Sequence, residues 1–572
     1  LPTGFPKQRL IASLADFSLR SSSTQVNLSE GKNWAHPFYD GNNTSFNPQN
    51  AINRNNVQDL EIKWVRELVP PNPPAARENP LDLPAARENP LDLPAARIGL
   101  GRPIQTIPLV MGGTVFLADN SNAVFAVDAG SGEVRWSFQP SMPKLGALPM
   151  IHTLNSNGGL LFVLCAQSAL FALHPETGKV ETEWTRFFPE TKPNSVRNKD
   201  WGAPSYSAPS FVGSSAIVGS STEDPDEARG FVASYDLKSR TMQWVWYVTP
   251  PAISGPKNWD ADAAKGNIAA YPNDWGEIDI AGRAAVWGQT LADEEGGRVY
   301  LGTGNPWLFH IEGSMRPGPL LYSDCLVCLD AKTGKMIWYH QSTPHDHLGW
   351  DFGMSVILAQ LTVGGQNRKV LIGSSKNSHV YVADALTGKL VFQPIRVGYV
   401  GTPLNANKGD EADMVGSLEP GTYCPAHNGG INAAAAFAYN TIFVATQRFE
   451  QRLEYVDGVH KGKAIRRAKL TDVETPRYST ISAINGSRGE IAWSYFIPNG
   501  YQGAGLTVSG NVVFGVDRSA ILYMLDASNG ALLREDHLRG HGSAGASVAA
   551  TREGEMRLFV PISGAGGTEN KL

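Results

Sequence analysis

One unit recurs seven times along this chain, and it leaves few folds open. An alternating apolar run leads into a tight turn, and a second run follows that usually ends on Trp. The copies are VFAVDAGSGEVRW (124–136), LFALHPETGKVETEW (170–184), FVASYDLKSRTMQW (231–244), LDAKTGKMIW (329–338), HVYVADALTGKLVF (379–392), ISAINGSRGEIAW (481–493) and ILYMLDASNGALL (521–533). Gly in most of these turns takes the positive φ of a tight hairpin, and Asp, Asn or Thr can bond the turn's own backbone. Each unit is thus a strand, a turn and a strand with a large side chain as anchor. The spacing is uneven, roughly 40 to 100 residues, and its short end matches the period of propeller blades. Unrelated hairpins of a β-sandwich would not repeat one turn-plus-Trp pattern seven times.

A chain of 572 residues exceeds most single hydrophobic cores. A radial repeat escapes that limit, because each blade packs only on its neighbours. The 59 Gly and 38 Pro fit a fold with many turns. A net charge of −5 gives no reason to expect nucleic acid or an anionic membrane as partner. No apolar run reaches the ~20 residues of a membrane helix. The chain opens at Leu1 with no charged-then-apolar leader, which reads as a mature, processed form. Asn27, Asn42, Asn43 and Asn485 head N-x-S/T triplets, which matter only on a glycosylating route. Cys325 and Cys328 form a CxxC, but residues three apart on a strand face opposite sides, which argues against a zinc or redox pair. No CxxCH occurs, so covalent c-type haem is not expected. PAARENPLDL begins at Pro74, repeats at Pro84 and restarts at Pro94, a tandem expansion expected to project as a loop over 70–98.

Chemistry is suggested first in TPHDHLGWDFG, just after the fourth unit. His345, Asp346 and His347 look like a metal cluster, but the preferred reading is that they support a turn. Asp351, between Trp350 and Phe352, is hard to read as surface charge, because a carboxylate among aromatics needs a partner or a function.

With these segments in view the chain resembles the pyrroloquinoline quinone (PQQ)-dependent alcohol and methanol dehydrogenases, from about Trp34 onward. The resemblance implies an all-β fold, an eight-bladed β-propeller with tryptophan-docking blades. Residues 1–33 would be an N-terminal extension and 34–572 one propeller. The strand ending in Trp64 would complete the last blade, and the eighth blade would be a diverged one around Ala433 to Gln447. Six motifs carry the likeness. AIVGSSTED places a metal-binding Glu at Glu223 and a cofactor-carboxylate contact at Ser220; AAVWGQ places at Trp287 the indole that lies under the quinone. YLGTGNPW gives Asn305 as a metal ligand, and TPHD with WDFG gives Asp351 as base beside the metal. SSKNSHVYVAD gives Lys376 as the cation at the quinone oxygens, and GGINAAAAF gives Asn432 as a cofactor contact.

The resemblance therefore implies a periplasmic or secreted oxidoreductase that oxidises an alcohol and passes electrons to a separate acceptor such as a cytochrome. A hard cation such as Ca²⁺ takes oxygen ligands of the kind Glu223, Asn305 and Asp351 offer. Lanthanide-using members carry a further Asp where this chain has Gly353, which favours calcium. Each residue also has a plainer reading: Trp287 as one more packing Trp, Asn305 as a turn former, Glu223 as part of a solvated acidic loop, Lys376 as a commonplace Lys-Asn turn.

Several departures stand against an ordinary member. Ile151 and His152 occupy the place of the family's adjacent cysteines, Asn157 that of a carboxylate-pairing Arg, and Gln105 that of a Glu. His347, Leu348 and Gly349 are extra residues between HD and WD. Relatives resembling polyvinyl-alcohol-dehydrogenase-like proteins share the AAVWG and GTGN turns and also lack parts of the set. The alternative to an enzyme is a non-catalytic extracellular propeller that has lost the quinone.

Overall fold

A computed structural model describes residues 12–19, 31–69, 106–118, 123–140, 151–165, 169–184, 207–220, 230–249, 284–306, 319–398, 420–427, 429–460, 463–498, 504–538, 540, 542 and 544–563. Glu223, Gln105 and the repeat loop at 70–98 lie outside these residues.

Eight antiparallel sheets of the described residues form the blades. Blades 1 to 5 each take four consecutive strands, beginning at Leu109–Met111, Ile151–Asn157, Ser210–Val212, Leu291–Asp293 and Ile357–Val363. Blade 6 uses Ala436–Ala438, Thr441–Gln447, Tyr478–Asn485 and Glu490–Pro498. Blade 7 runs from Thr507–Ser509 to Leu532–His537, with Phe46–Asn47 added in parallel. Blade 8 pairs Ser547–Ala550 and Met556–Ser563 with two N-terminal strands, Ala12–Leu19 and Leu60–Leu68.

Two expectations change here. The segment at Ala433 to Gln447 is not a blade of its own. It supplies the first two strands of the blade that ends in the ISAINGSRGEIAW unit, separated from that unit by a long inserted hairpin. The eighth blade instead comes from the two ends of the described chain. Nor does residue 33 bound the propeller, because Ala12–Leu19 sits between Leu60–Leu68 and Met556–Ser563 and pairs with both. Without Ala12–Leu19, Leu60–Leu68 would have no partner strand and Met556–Ser563 would leave one edge of its backbone groups unmet.

The Trp anchors dock from blade to blade. Trp136 covers Gly178, Trp244 covers Gly334, Trp338 covers Gly388 and Trp493 covers Gly530, each on the turn of the following blade. A Cβ at Gly178 would begin 2.6 Å from the indole, so only Gly lets the ring lie flat there. The indole N–H groups donate to backbone carbonyls of the same turns, as Trp136 does to Pro175 O at 2.8 Å and Trp244 to Ala331 O at 3.0 Å. Trp64 of blade 8 covers Gly132 of blade 1 and closes the ring. Arg534 stands where blade 7 would carry its Trp, and it donates to Gln58 O and Leu60 O of the N-terminal segment. Buried clusters lie between neighbouring blades, and the two cysteines of the CxxC fall into different ones: Cys325 between blades 3 and 4, Cys328 between blades 4 and 5.

The segment 33–54 spans the ring. Trp34 bridges Val110 of blade 1, Ser156 of blade 2 donates to Ala35 O, Asn43 donates to Val356 O before blade 5, and Asn47 donates to Val548 O of blade 8. Its ends bond Gly112 and Gly510, in the turns after the first strands. That is the end opposite to the inter-blade loops, where Asp351 lies.

Candidate active site

The sequence places Asp351 in the connection between blades 4 and 5, after Met336–Gln341 and before Ile357–Val363. Asp346 shapes this connection. It accepts N–H groups from Leu348 at 2.8 Å, Gly349 at 3.0 Å and Trp350 at 2.6 Å. Burial pushes its carboxyl up to about 7, against the pull of the Leu348 and Trp350 N–H groups and with help from the nearby Asp351 charge. Its oxygens are thus spent on the turn. His345 and His347 lie buried beside it with ring centroids 4.7 Å apart. No group of three or more His, Cys, Asp or Glu able to hold a metal occurs among the described residues.

Asp351 is buried, and both of its oxygens are engaged. Oδ2 accepts from Lys376 Nζ at 2.5 Å. Oδ1 accepts from the Asn305 N–H at 2.8 Å and faces the Trp287 Nε1–H at 3.4 Å. Burial would raise this carboxyl, but Lys376, the Asn305 N–H and His427 outweigh it and hold it below the usual carboxylate range. It is therefore an ionised carboxylate at neutral pH despite its burial. The backbone reinforces the pair, since the Lys376 N–H donates to Asp351 O at 3.0 Å. Lys376 Nζ also lies 5.4 Å from the Trp287 ring centroid, a cation–π distance. Gly353 backs the indole, and a Cβ there would begin 2.2 Å from Trp287 Cε2.

Four of the expected site residues thus meet: Trp287, Asn305, Asp351 and Lys376. Asn305 donates its amide nitrogen to Pro306 O at 3.2 Å, which leaves the amide oxygen as the end a cation would use. Asn432 is half-buried and donates to Gly429 O at 2.8 Å, in a turn that abuts Lys376. Ser220 ends a strand of blade 3; its hydroxyl accepts the Phe231 N–H at 2.8 Å and its carbonyl accepts from Val286, next to Trp287. Asn157 does not belong to this set. It ends the first strand of blade 2, beside the turn to the second, six residues and roughly 20 Å from the loop end of that strand.

Two residues at the site carry no motif in the sequence. Asp324 is fully buried, and its two oxygens have no hydrogen-bond partner of good geometry. Burial raises its carboxyl well above the ordinary value, and the charges of Asp346 and Asp351 add to the rise. His427 lies over Gly349, at a site reached only through a distant loop. Neither could be found by local pattern, because each is placed by non-local packing.

A model of the PQQ-dependent glucose/ethanol/alcohol dehydrogenase β-propeller domain matches residues 34–400. The chain belongs to this PQQ dehydrogenase family. Among curated relatives, a quinohemoprotein alcohol dehydrogenase of Comamonas testosteroni is 24% identical over 492 residues, 81% of this chain and 67% of that protein. The dehydrogenase subunit of a quinone-linked alcohol dehydrogenase of Gluconacetobacter polyoxogenes is 26% identical, but the match spans only 43% of its length. The quinoprotein alcohol dehydrogenase PedH of Pseudomonas putida is 26% identical, over 86% of this chain and 84% of that protein. Among solved structures, a europium-containing methanol dehydrogenase superposes with a TM-score of 0.71 at 20% identity, covering 92% of this chain and 89% of that one. The family fold is thus shared along nearly the whole chain. No helix among the described residues is long and apolar enough to cross a membrane.

Proposed function

We propose that this protein is a quinoprotein alcohol dehydrogenase with PQQ as cofactor, Ca²⁺ as metal and Asp351 as base. The observation that carries this reading is the buried, ionised Asp351 held between Lys376 and the Asn305 N–H, with Lys376 over the face of Trp287. Together with the family match, this set suits a planar, anionic quinone: an aromatic face, a fixed cation and a base in one place. Asp351 and the Asn305 amide offer the hard oxygen donors calcium takes, with Glu223 expected to complete them. When bound, PQQ supplies a two-electron hydride acceptor and the metal a Lewis acid. The protein's own part is to hold the substrate hydroxyl at Asp351, which takes its proton as the carbinol carbon becomes a carbonyl. Lys376 supplies positive charge where negative charge develops. Ser220 and Asn432 would hold the cofactor's edge.

Gly353 supports calcium over a lanthanide. A side chain there meets the Trp287 indole, so the extra carboxylate of lanthanide-using members has no room unless the indole shifts. We further propose an alcohol as the substrate class, a cytochrome or other separate acceptor, and a periplasmic or secreted setting.

Reconstitution tests the reading. Added PQQ and Ca²⁺ should give a bound-quinone absorbance and dye-linked oxidation of an alcohol, and Asp351→Ala should abolish turnover while keeping the absorbance. No binding at micromolar PQQ would sink it, and would favour the non-catalytic propeller.

A further inference from the structure

The described chain contains one sheet that belongs to no blade. Gln451–His460 and Lys463–Asp472 form a long hairpin inserted between the second and third strands of blade 6. Gly421–Tyr423, from the connection between blades 5 and 6, adds a third strand along Gln451–His460. The catalytic connection carries its own insertion, His347 to Gly349. The two insertions meet. Leu348 is fully buried and shares a hydrophobic cluster with Trp350, Tyr423, Leu453 and Ala468. That cluster contains no blade residue, so Leu348 has been given its own small core outside the propeller.

The short segment 425–430 ties this sheet to the site. Trp350 donates its indole N–H to Pro425 O at 3.1 Å. The His427 ring sits on Gly349, whose φ is +73°; a Cβ there would begin 2.3 Å from His427 Nδ1. Gly430 abuts Lys376, with a Cβ position 1.8 Å from Lys376 O. The sheet holds the segment in turn, since the His427 N–H donates to Gln451 Oε1 at 3.3 Å and Gln451 donates to Asp472 Oδ1 at 2.8 Å. Each partner of the Asp351–Lys376 pair is thus braced from the same side: Asp351 through Gly349 and Trp350, Lys376 through Gly430.

We propose that the hairpin sheet is a brace that positions the Asp351–Lys376 pair, with Leu348 and Leu453 as its positioning residues. Without it, a connection lengthened by three residues keeps the Asp346 turn and its bonds to Asn305, Ser375 and Lys376, but loses the packing that pins Leu348 to Trp350, and the base would sample a wider range of orientations. The consequence for turnover rests on the dehydrogenase reading; the mechanical link does not. A base displaced by even an ångström loses rate without losing substrate affinity.

The link is tested first by hydrogen exchange on the full-length protein without cofactor. Leu453→Ala lies 102 positions from Asp351 in sequence. It should speed exchange in peptides covering 345–352 by about tenfold or more. Leu525→Ala, a cavity of the same chemistry in the core between blades 6 and 7, should leave those peptides unchanged. Unchanged exchange at 345–352 in Leu453→Ala and in Leu348→Ala would overturn the brace. In protein loaded with PQQ and Ca²⁺, both variants should lower kcat about tenfold with KM within about twofold, and Leu348→Met should restore the rate. Full kcat in variants whose loop exchanges faster would overturn the positioning role. A wild-type protein that binds no PQQ defeats the dehydrogenase reading alone, because the exchange experiment still decides the brace.

Discussion

Lys376 Nζ and Asp351 Oδ2 are 2.5 Å apart, in a pair whose side chains are 14% and 6% exposed. The lysine keeps a buried carboxylate ionised, and under the proposed function it is also the cation at the quinone. Removing it leaves an unpaired buried charge, which costs on the order of 3–5 kcal/mol. Lys376→Met should therefore lower thermal stability in the apo protein. It should also move the acid limb of the kcat/KM profile to higher pH. The sign follows from Lys376 depressing the folded-state value: without it Asp351 takes up its proton at higher pH and the base is lost sooner. An acid limb that stays in place would show that Lys376 does not set the ionisation of the base.

Gly353 is expected to be intolerant of the carboxylate found in lanthanide-using relatives. Gly353→Asp places new atoms against Trp287, so Trp fluorescence should shift and PQQ affinity should fall about tenfold or more. Lanthanum should not restore activity. Tight PQQ binding with lanthanum-dependent turnover would show that the indole yields easily.

Asp324 predicts the opposite sign of pH dependence from Asp351. Its folded-state value lies well above the ordinary 3.8, so the native protein binds a proton the unfolded chain releases. Stability from this group is full below about pH 4 and falls as pH rises toward the folded value, at up to about 1.4 kcal/mol per pH unit. Asp324→Asn removes the group that titrates. Urea denaturation should give variant and wild type similar stability near pH 4, with the variant gaining as pH rises to 8. A difference that does not change with pH would mean that Asp324 finds a partner when ionised.

Trp64 closes the ring on Gly132. Trp64→Ala should cost about 3–5 kcal/mol in chemical denaturation, as for other large aromatic truncations. The same change at Trp493, which joins blades 6 and 7, should cost a similar amount. A Trp64 variant as stable as wild type would place the closure elsewhere, in the strand pairing of Ala12–Leu19.

Much of the scaffold was legible because its signals are local. Each turn and its Trp lie within 15 residues of each other, so seven blades can be read one by one. The eighth carries no such unit. It is assembled from Ala12–Leu19, Leu60–Leu68, Ser547–Ala550 and Met556–Ser563, and pairing across more than 500 positions leaves no pattern in either partner. The 30-residue gap between Gln447 and Tyr478 made one blade read as two. At the site, motif order brought Trp287, Asn305, Asp351 and Lys376 together, because each lies in a connection at the same rim, just outside the strands. Asn157 lies at the far end of its strand, a position that the sequence pattern of alternating residues does not reveal. Asp324 and His427 have meaning only once the fold has brought distant loops beside them.

The position of Ala12–Leu19 also has a consequence for how the molecule is made. This strand leaves the ribosome more than 500 residues before Met556–Ser563, the last described strand, which flanks it. Blades 1 to 7 can form in order as they emerge, each docking on the turn of the next. Throughout synthesis Ala12–Leu19 and Leu60–Leu68 can pair only with each other, as an exposed two-stranded ribbon. The newborn chain therefore carries an open strand edge until Met556–Ser563 arrives. That interval is when a holdase or a second nascent copy could capture it.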